Sequence, residues 1–272
     1  MKQNRGEIAD FIFNNLKNNQ KALKNQFDAH KKEIGYFYLD NLLPKELALE
    51  IYKNFPSTKA SVQRKSIREY KFTAFQMNKY HCLLEETIFA FQDKRIVNLI
   101  AKICEIEKVS PDSNLYAGGL SLMKKDNFLN PHLDNSHDKD RHRWRVLNLL
   151  YYVTPNWKLE NGGNLELWPK GLNKKPITIT SKFNRLVVMA THQKSWHSVN
   201  KVLVNDVRCC VSNYYFSEEP LLASDHFHVT TFRARPEEKL KDFVLQIDNK
   251  LRSAVRKLFK KGVRENPHQY KK

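Results

Sequence analysis

Between residues 115 and 216 the hydrophobic period of this chain shortens from helical spacing to alternation, and no other feature limits the fold as much. β-Branched and aromatic residues gather there into eight short runs, near 115–123, 130–135, 144–153, 164–168, 176–180, 185–190, 197–202 and 208–216. Eight short strands split by turn signals predict a jelly roll, or double-stranded β-helix, whose open end can hold a metal. The expected fold class is therefore mainly β with flanking α-helices.

The second run carries Asn130-Pro131-His132-Leu133-Asp134-Asn135-Ser136. Residues two apart in an extended segment share a face, so His132 and Asp134 can approach one ion from one side. A third ligand has to come from elsewhere, and His197 in Ser195-Trp196-His197-Ser198-Val199 opens another strand-like run. His192 is a rival for that place. His137 and His142 sit in a densely charged loop, His30 and His81 accompany helical stretches, and His226 and His228 form a pair without a third partner, so none of these is taken as a ligand. Two histidines and one carboxylate on one face of an iron leave three positions for a cosubstrate and dioxygen. Arg208 begins the last run, and its guanidinium fork suits the remote carboxylate of a dicarboxylic keto acid.

This order of residues resembles the iron(II)- and 2-oxoglutarate-dependent oxygenases of the prolyl-4-hydroxylase-like superfamily. That family's pattern is His-x-Asp, a second His tens of residues later and an Arg or Lys roughly ten further on; His132, Asp134, His197 and Arg208 stand in those places. Asn161-Gly162-Gly163-Asn164-Leu165-Glu166-Leu167-Trp168 is similar to the family's glycine pair before a strand, and Asn184-Arg185-Leu186-Val187-Val188-Met189 to its strand before the distal histidine. Gly35-Tyr36-Phe37-Tyr38-Leu39-Asp40-Asn41-Leu42-Leu43-Pro44 looks like the opening of such domains, so the likeness spans about residues 35–216. It implies iron(II) and 2-oxoglutarate, with ascorbate a further candidate reductant. It also implies hydroxylation of an unactivated carbon, with release of succinate and carbon dioxide.

Parity along the strands nominates further pocket residues. Ser212 shares a face with Arg208, Cys210 and Tyr214, and Asn148 shares one with Val146, Leu150 and Tyr152. Both are expected to meet cosubstrate or substrate, with Tyr116 and Tyr151 as phenols that could touch 2-oxoglutarate.

Around this core, residues 1–34 predict a helical segment ended by Gly35, with Pro44 opening a helix that Pro56 stops. Residues 57–71 read as a basic loop in which Arg64, Arg68 and Tyr70 are candidates for substrate contact. Residues 83–105 read as two helices, the second capped by Asp93. The oxygenase-like domain is set at 35–220. A C-terminal extension, 221–272, has Leu240, Phe243, Val244, Ile247, Leu251, Val255 and Leu258 at helical spacing, a stripe expected to pack on the barrel.

The net charge is +18, of which residues 221–272 hold +7, from thirteen basic and six acidic residues. Lys250, Arg252, Arg256, Lys257, Lys260, Lys261 and Arg264 form a cluster without an acid, which suits phosphate-bearing partners as well as it suits plain solvation. Cys82, Cys104, Cys209 and Cys210 show neither metal nor disulfide spacing, residues 1–7 lack the apolar core expected of a signal peptide, and the sequence holds no apolar run long enough to span a membrane. A cytoplasmic enzyme with reduced thiols is the expectation. Its substrate is a small molecule, a glycan or a peptide, and nucleic acid is a less favoured partner. The competing readings are a non-catalytic metal-binding jelly roll, a polyanion-binding barrel and a zinc hydrolase.

Overall fold

A computed structural model describes residues 4–116, 118–258, 270 and 271, with the side chains of residues 257 and 258 left out. In chain order it contains α1 (Arg5–Asn18), α2 (Gln20–His30), β1 (Tyr36–Asp40), α3 (Lys45–Lys53), β2 (Val62–Lys65), β3 (Glu69–Ala74), α4 (Cys82–Ala90), α5 (Lys94–Cys104) and β4 (Val109–Pro111). The chain continues through β5 (Gly119–Met123), β6 (Phe128–Leu133), β7 (Trp144–Tyr152), β8 (Leu165–Leu167), β9 (Ile177–Ile179), β10 (Arg185–Ala190), β11 (His197–Val199), β12 (Arg208–Ser217), β13 (Thr231–Phe232) and α6 (Lys239–Leu258).

The helices start where their caps dictate. Asn4 and Glu7 form a reciprocal capping box at α1, and the Asp93 carboxylate accepts from the Arg95 amide at the start of α5. The N-terminal helical stretch is two helices rather than one, broken at Asn19 and finished at His30, before Gly35 is reached.

The strands form one antiparallel sheet in the order β1-β10-β7-β12-β5-β3-β6-β11-β8-β9, with β2 added to β3, β4 to β12 and β13 to β6. The sheet folds over on itself. Leu165, Leu167 and Ile179 from β8 and β9 pack against Tyr36, Val187, Met189, Leu150 and Tyr152 from β1, β10 and β7. Burying each such apolar side chain contributes about 1.5–3 kcal/mol. The opposite face of the β1-β10-β7-β12 layer, with Phe37, Leu149, Tyr151, Val188 and Val211, is covered by the helices, including Ile8 and Ile12 of α1 and Ile96 and Ile100 of α5. This is the double-stranded β-helix expected, and β7, covered on both faces, explains the near-continuous apolar run 146–153.

Several expectations need correction. Residues 57–71 are not a loop: β2 and β3 form a hairpin, and β3 continues into the core sheet by pairing with β5 and β6. Its outer strand is exposed and polar, so the two-residue alternation that marks a half-buried strand is missing. The chain after residue 216 returns to the barrel, because β13 pairs with β6 at His132 and Leu133.

The seating of α6 is reversed relative to expectation. Leu240, Phe243, Val244, Ile247, Leu251 and Val255 are exposed, and Leu245 and Asn249 are the buried positions among the described residues of this helix. The surface that α6 meets is polar: Asp248 receives a bidentate ion pair from Arg68, Asn249 bonds both backbone groups of Phe232, and Arg252 donates to the Thr230 carbonyl. Buried polar groups need partners, so that rim selects the face of the helix that supplies them. Of the basic cluster noted above, Lys260, Lys261 and Arg264 lie outside the described residues, as do the side chains of Lys257 and Leu258. No described helix is long and apolar enough to cross a membrane, and the four cysteines are free thiols.

Candidate active site

His132 near the end of β6 and His197 at the start of β11 stand opposite one another in the sheet register. Asp134 follows directly on β6. Its Oδ1 lies 3.7 Å from His132 Nε2 and its Oδ2 lies 3.6 Å from His197 Nε2. One ligand atom from each of the three residues falls within 4.8 Å of the others, and this is the grouping among the described residues that could hold a metal. Ligands bound at about 2.1 Å and at right angles are about 3 Å apart, so modest closure around an ion suffices.

The backbone fixes the tautomers. His132 Nδ1 meets the Asn130 carbonyl and His197 Nδ1 the Ser195 carbonyl, each at 2.9 Å. A carbonyl only accepts, so each Nδ1 donates a proton and each Nε2 turns a lone pair toward Asp134. Burial pushes His132 down to about 3, which keeps the imidazole neutral as a metal requires. Burial works to raise the Asp134 carboxyl, but His197, Arg145 and His132 outweigh it and hold it below its ordinary value. Asp134 Oδ2 is nonetheless buried without a hydrogen-bond partner. An orphaned carboxylate oxygen facing two imidazole lone pairs is an arrangement that a divalent cation satisfies.

Arg208 is buried at the start of β12. Its Nε donates to Ser181 Oγ at 3.3 Å, its guanidinium lies 5.0 Å from the Tyr152 ring centre, and its Nη1 has no partner. The Tyr152 hydroxyl is also buried and unpartnered, and burial pushes it up to about 12, so it stays protonated and able to donate. Two unanswered donors around one guanidinium make a cradle for a carboxylate. Gly163, at φ +65°, permits it: a Cβ there would sit 2.9 Å from Val202 Cγ2 and 3.1 Å from Arg208 Cδ.

His132, Asp134, His197 and Arg208 line one cavity of about 490 Å³, and Ser212, Asn148 and Tyr116 lie in its wall. Asn148 donates to Tyr214 Oη at 3.3 Å while its own Oδ1 has no partner. Tyr151 is placed elsewhere: it points into the helical layer, donating to Asn184 Oδ1 at 2.8 Å, and its neighbour Tyr152 takes the inner face. His192 accepts from the Lys194 amide and stands outside the metal grouping, as do His137, His142, His226 and His228.

Sequence reasoning missed Tyr152, Ser181 and Arg145. The Arg145 guanidinium stacks 4.2 Å from the Tyr214 ring centre, with Nη1 3.6 Å from Asp134 Oδ1 and with Nε and Nη2 unpartnered. It faces the cavity because the register of β7 against β12 moves from Leu147↔Tyr215 to Arg145↔Phe216, a bulge that turns Val146 and Leu147 to the same outer layer. Val146 therefore does not share the face of Asn148. Phe232 of β13, also missed, stacks on His132 with ring centres 5.2 Å apart.

Residues 118–216 match the family model of the 2OG-Fe(II) oxygenase superfamily. The likeness of this segment is to a 2OG-Fe(II) oxygenase core. Among curated proteins none matches its sequence. Solved structures similar in fold include a prolyl-4-hydroxylase from Pseudomonas putida, 15% identical with a TM-score of 0.53, aligned over 72% of this chain and 98% of that one. A prolyl hydroxylase from Trichoplax adhaerens, in complex with a hypoxia inducible factor oxygen degradation domain peptide fragment, is 20% identical with a TM-score of 0.51, over 78% of this chain and 96% of that one. HygX from Streptomyces hygroscopicus, with nickel and 2-oxoglutarate bound, is 11% identical with a TM-score of 0.50, over 71% and 86%. The oxygenase is thus a 2-oxoglutarate-dependent dioxygenase that uses iron(II). Its matched core runs from β5 to β12 and leaves out the β2–β3 hairpin and α6, which wall the same cavity.

Proposed function

We propose that His132, Asp134 and His197 hold iron(II), that Arg208 binds the remote carboxylate of 2-oxoglutarate with help from Tyr152 and Ser181, and that the enzyme hydroxylates an unactivated carbon of a compound admitted to the same cavity. The observation that carries this reading is the pairing of two unsatisfied sites in one cavity: the orphaned Asp134 oxygen beside two imidazole lone pairs, and the orphaned Arg208 and Tyr152 donors. Buried polar groups without partners cost about 1–3 kcal/mol each, more when charged, so both places are shaped for occupants. Iron(II) with 2-oxoglutarate and dioxygen supplies oxidation of a carbon–hydrogen bond coupled to decarboxylation of the keto acid to succinate.

The residues of this chain do the rest. The two Nδ1 donors hold the imidazoles in orientation, Arg208 fixes the direction from which the keto acid enters, and Phe232, stacked on His132, covers the metal end. Asn148, Ser212 and Tyr116 offer hydrogen bonds from the wall. Anaerobic addition of iron(II) and 2-oxoglutarate to the purified protein is the test: a visible metal-to-ligand charge-transfer band at one equivalent of each supports the reading, and its absence with both bound ions verified removes it. Succinate release screened over sugars, nucleotides, amino acids and proline-containing peptides then identifies the substrate.

A further inference from the structure

With Arg208 assigned to the cosubstrate and Asp134 to the metal, the cavity wall still holds, among the described residues, six basic side chains, Arg64, Arg68, Lys71, Arg145, Arg252 and Arg256, and a single further acid, Glu69. Glu69 pairs with Lys71 at 3.0 Å. Asp248, just outside the wall, answers both Arg68 and Arg252. Among the described residues, two acids for six bases leave an excess of four positive charges once Asp134, 3.6 Å from Arg145 Nη1, is counted with the metal. Among the described residues no carboxylate pairs with Arg64 or Arg256, and Arg145 is nine-tenths buried with Nε and Nη2 unpartnered. Iron(II) and 2-oxoglutarate bring opposite charges that cancel, so the excess survives in the loaded enzyme.

Like charges crowded around a concave, partly desolvated space repel one another and raise the local concentration of anions. Solvation alone does not account for a buried arginine inside that space whose Nη1 lies 3.6 Å from Asp134 while its Nε and Nη2 have no partner. The occupant must be compact, because the cavity of about 490 Å³ is shared with the cosubstrate. It must also carry several charges, because four are unanswered. A phosphoryl group meets both conditions, with a charge of about −1.5 to −2 and three acceptor oxygens for guanidinium forks.

We propose that the substrate is a small phosphate-bearing molecule, its phosphoryl group held at the cavity mouth by Arg64 of β2 and Arg256 of α6. This rests on the oxygenase reading of the cavity and deepens it to a substrate class. The basic mouth lies on the two elements outside the matched family core, where specificity for a substrate is free to differ from one oxygenase to another.

The test uses the full-length, metal-free protein and inorganic pyrophosphate, followed by calorimetry. One equivalent should bind, and Arg64→Ser and Arg256→Ser should each weaken it by about tenfold, the loss of a charge-assisted bond. Lys102→Ser, an exposed position on α5, removes the same charge outside the cavity wall and should leave binding unchanged. Tricarballylate, with carboxylates alone, should bind more weakly than pyrophosphate. No binding, binding indifferent to Arg64→Ser and Arg256→Ser, or stronger uptake of a single-stranded oligonucleotide that ignores both substitutions overturns the proposal. The charge-transfer titration, which needs no pyrophosphate, is run on the same variants: its failure strikes the oxygenase reading, whereas loss of pyrophosphate binding with the band intact strikes the substrate class alone.

Discussion

His132 and His197 are direct partners across β6 and β11, with ring centres 4.1 Å apart. Their separation is therefore set by backbone hydrogen bonds rather than by loop conformation. A strand slip of one residue would turn either ring to the opposite face.

That relationship underlies the proposal of His197 as the third ligand. His197→Ala should remove iron and abolish turnover, as should His132→Ala and Asp134→Ala, whereas His192→Ala should keep one iron per chain. Iron is counted by metal analysis after anaerobic reconstitution and desalting. Retention by His197→Ala together with loss by His192→Ala would reverse the assignment.

Arg208→Ala should leave iron content intact and raise the 2-oxoglutarate requirement by about two orders of magnitude, since unpairing a buried carboxylate costs roughly 2–5 kcal/mol. Arg208→Lys should restore part of the loss, because the charge survives without the fork. Tyr152→Phe should cost less, about tenfold, as one hydrogen bond to an ionised group disappears. Equal affinity in the parent and Arg208→Ala, read from the charge-transfer titration, would remove the arginine from the keto-acid site.

Gly163→Ala combines two penalties. The left-handed backbone costs about 1–2 kcal/mol for a residue with a Cβ, and that carbon presses on Val202 and on Arg208 Cδ. The variant should unfold at lower urea and bind 2-oxoglutarate more weakly with iron still in place. A fall in stability with unchanged keto-acid affinity would show that Arg208 does not feel the glycine.

His137 gives the protein an acid limit. Burial first, then Arg141 and Arg145, push it down to about 3, and its Nε2 has no partner. The unfolded chain binds this proton near 6.5 and the folded chain only near 3, so the stabilisation is complete above 6.5 and drains away as pH falls between the two. In metal-free protein the urea midpoint should drop from pH 7 to pH 5, and His137→Phe should flatten that drop. A slope of the same steepness in the variant would acquit His137.

What the sequence made readable was local. The His132–Asp134 spacing and the Asp93 cap are each fixed by neighbours within a few residues, and the structure places those two pairs accordingly. What escaped needed tertiary facts. Parity separates Tyr152 from Tyr151, but β7 is buried on both faces, so no alternation of polarity says which face is the inner one. Arg145 was hidden by a bulge that no residue type announces. Helix α6 offers two plausible inner faces, and the choice depends on Arg68 and the backbone of β13, both remote in sequence.

The polar seating of α6 has a practical consequence. One side of the cavity is closed by a joint of ion pairs and hydrogen bonds with Leu245 as its buried apolar side chain. Kosmotropic salts strengthen an apolar seam, whereas any salt screens a charged one. The tightness of this wall is thus a property of the surrounding electrolyte as well as of the chain, and buffers of different ionic composition will hold differently shaped entrances to the same unchanged metal centre.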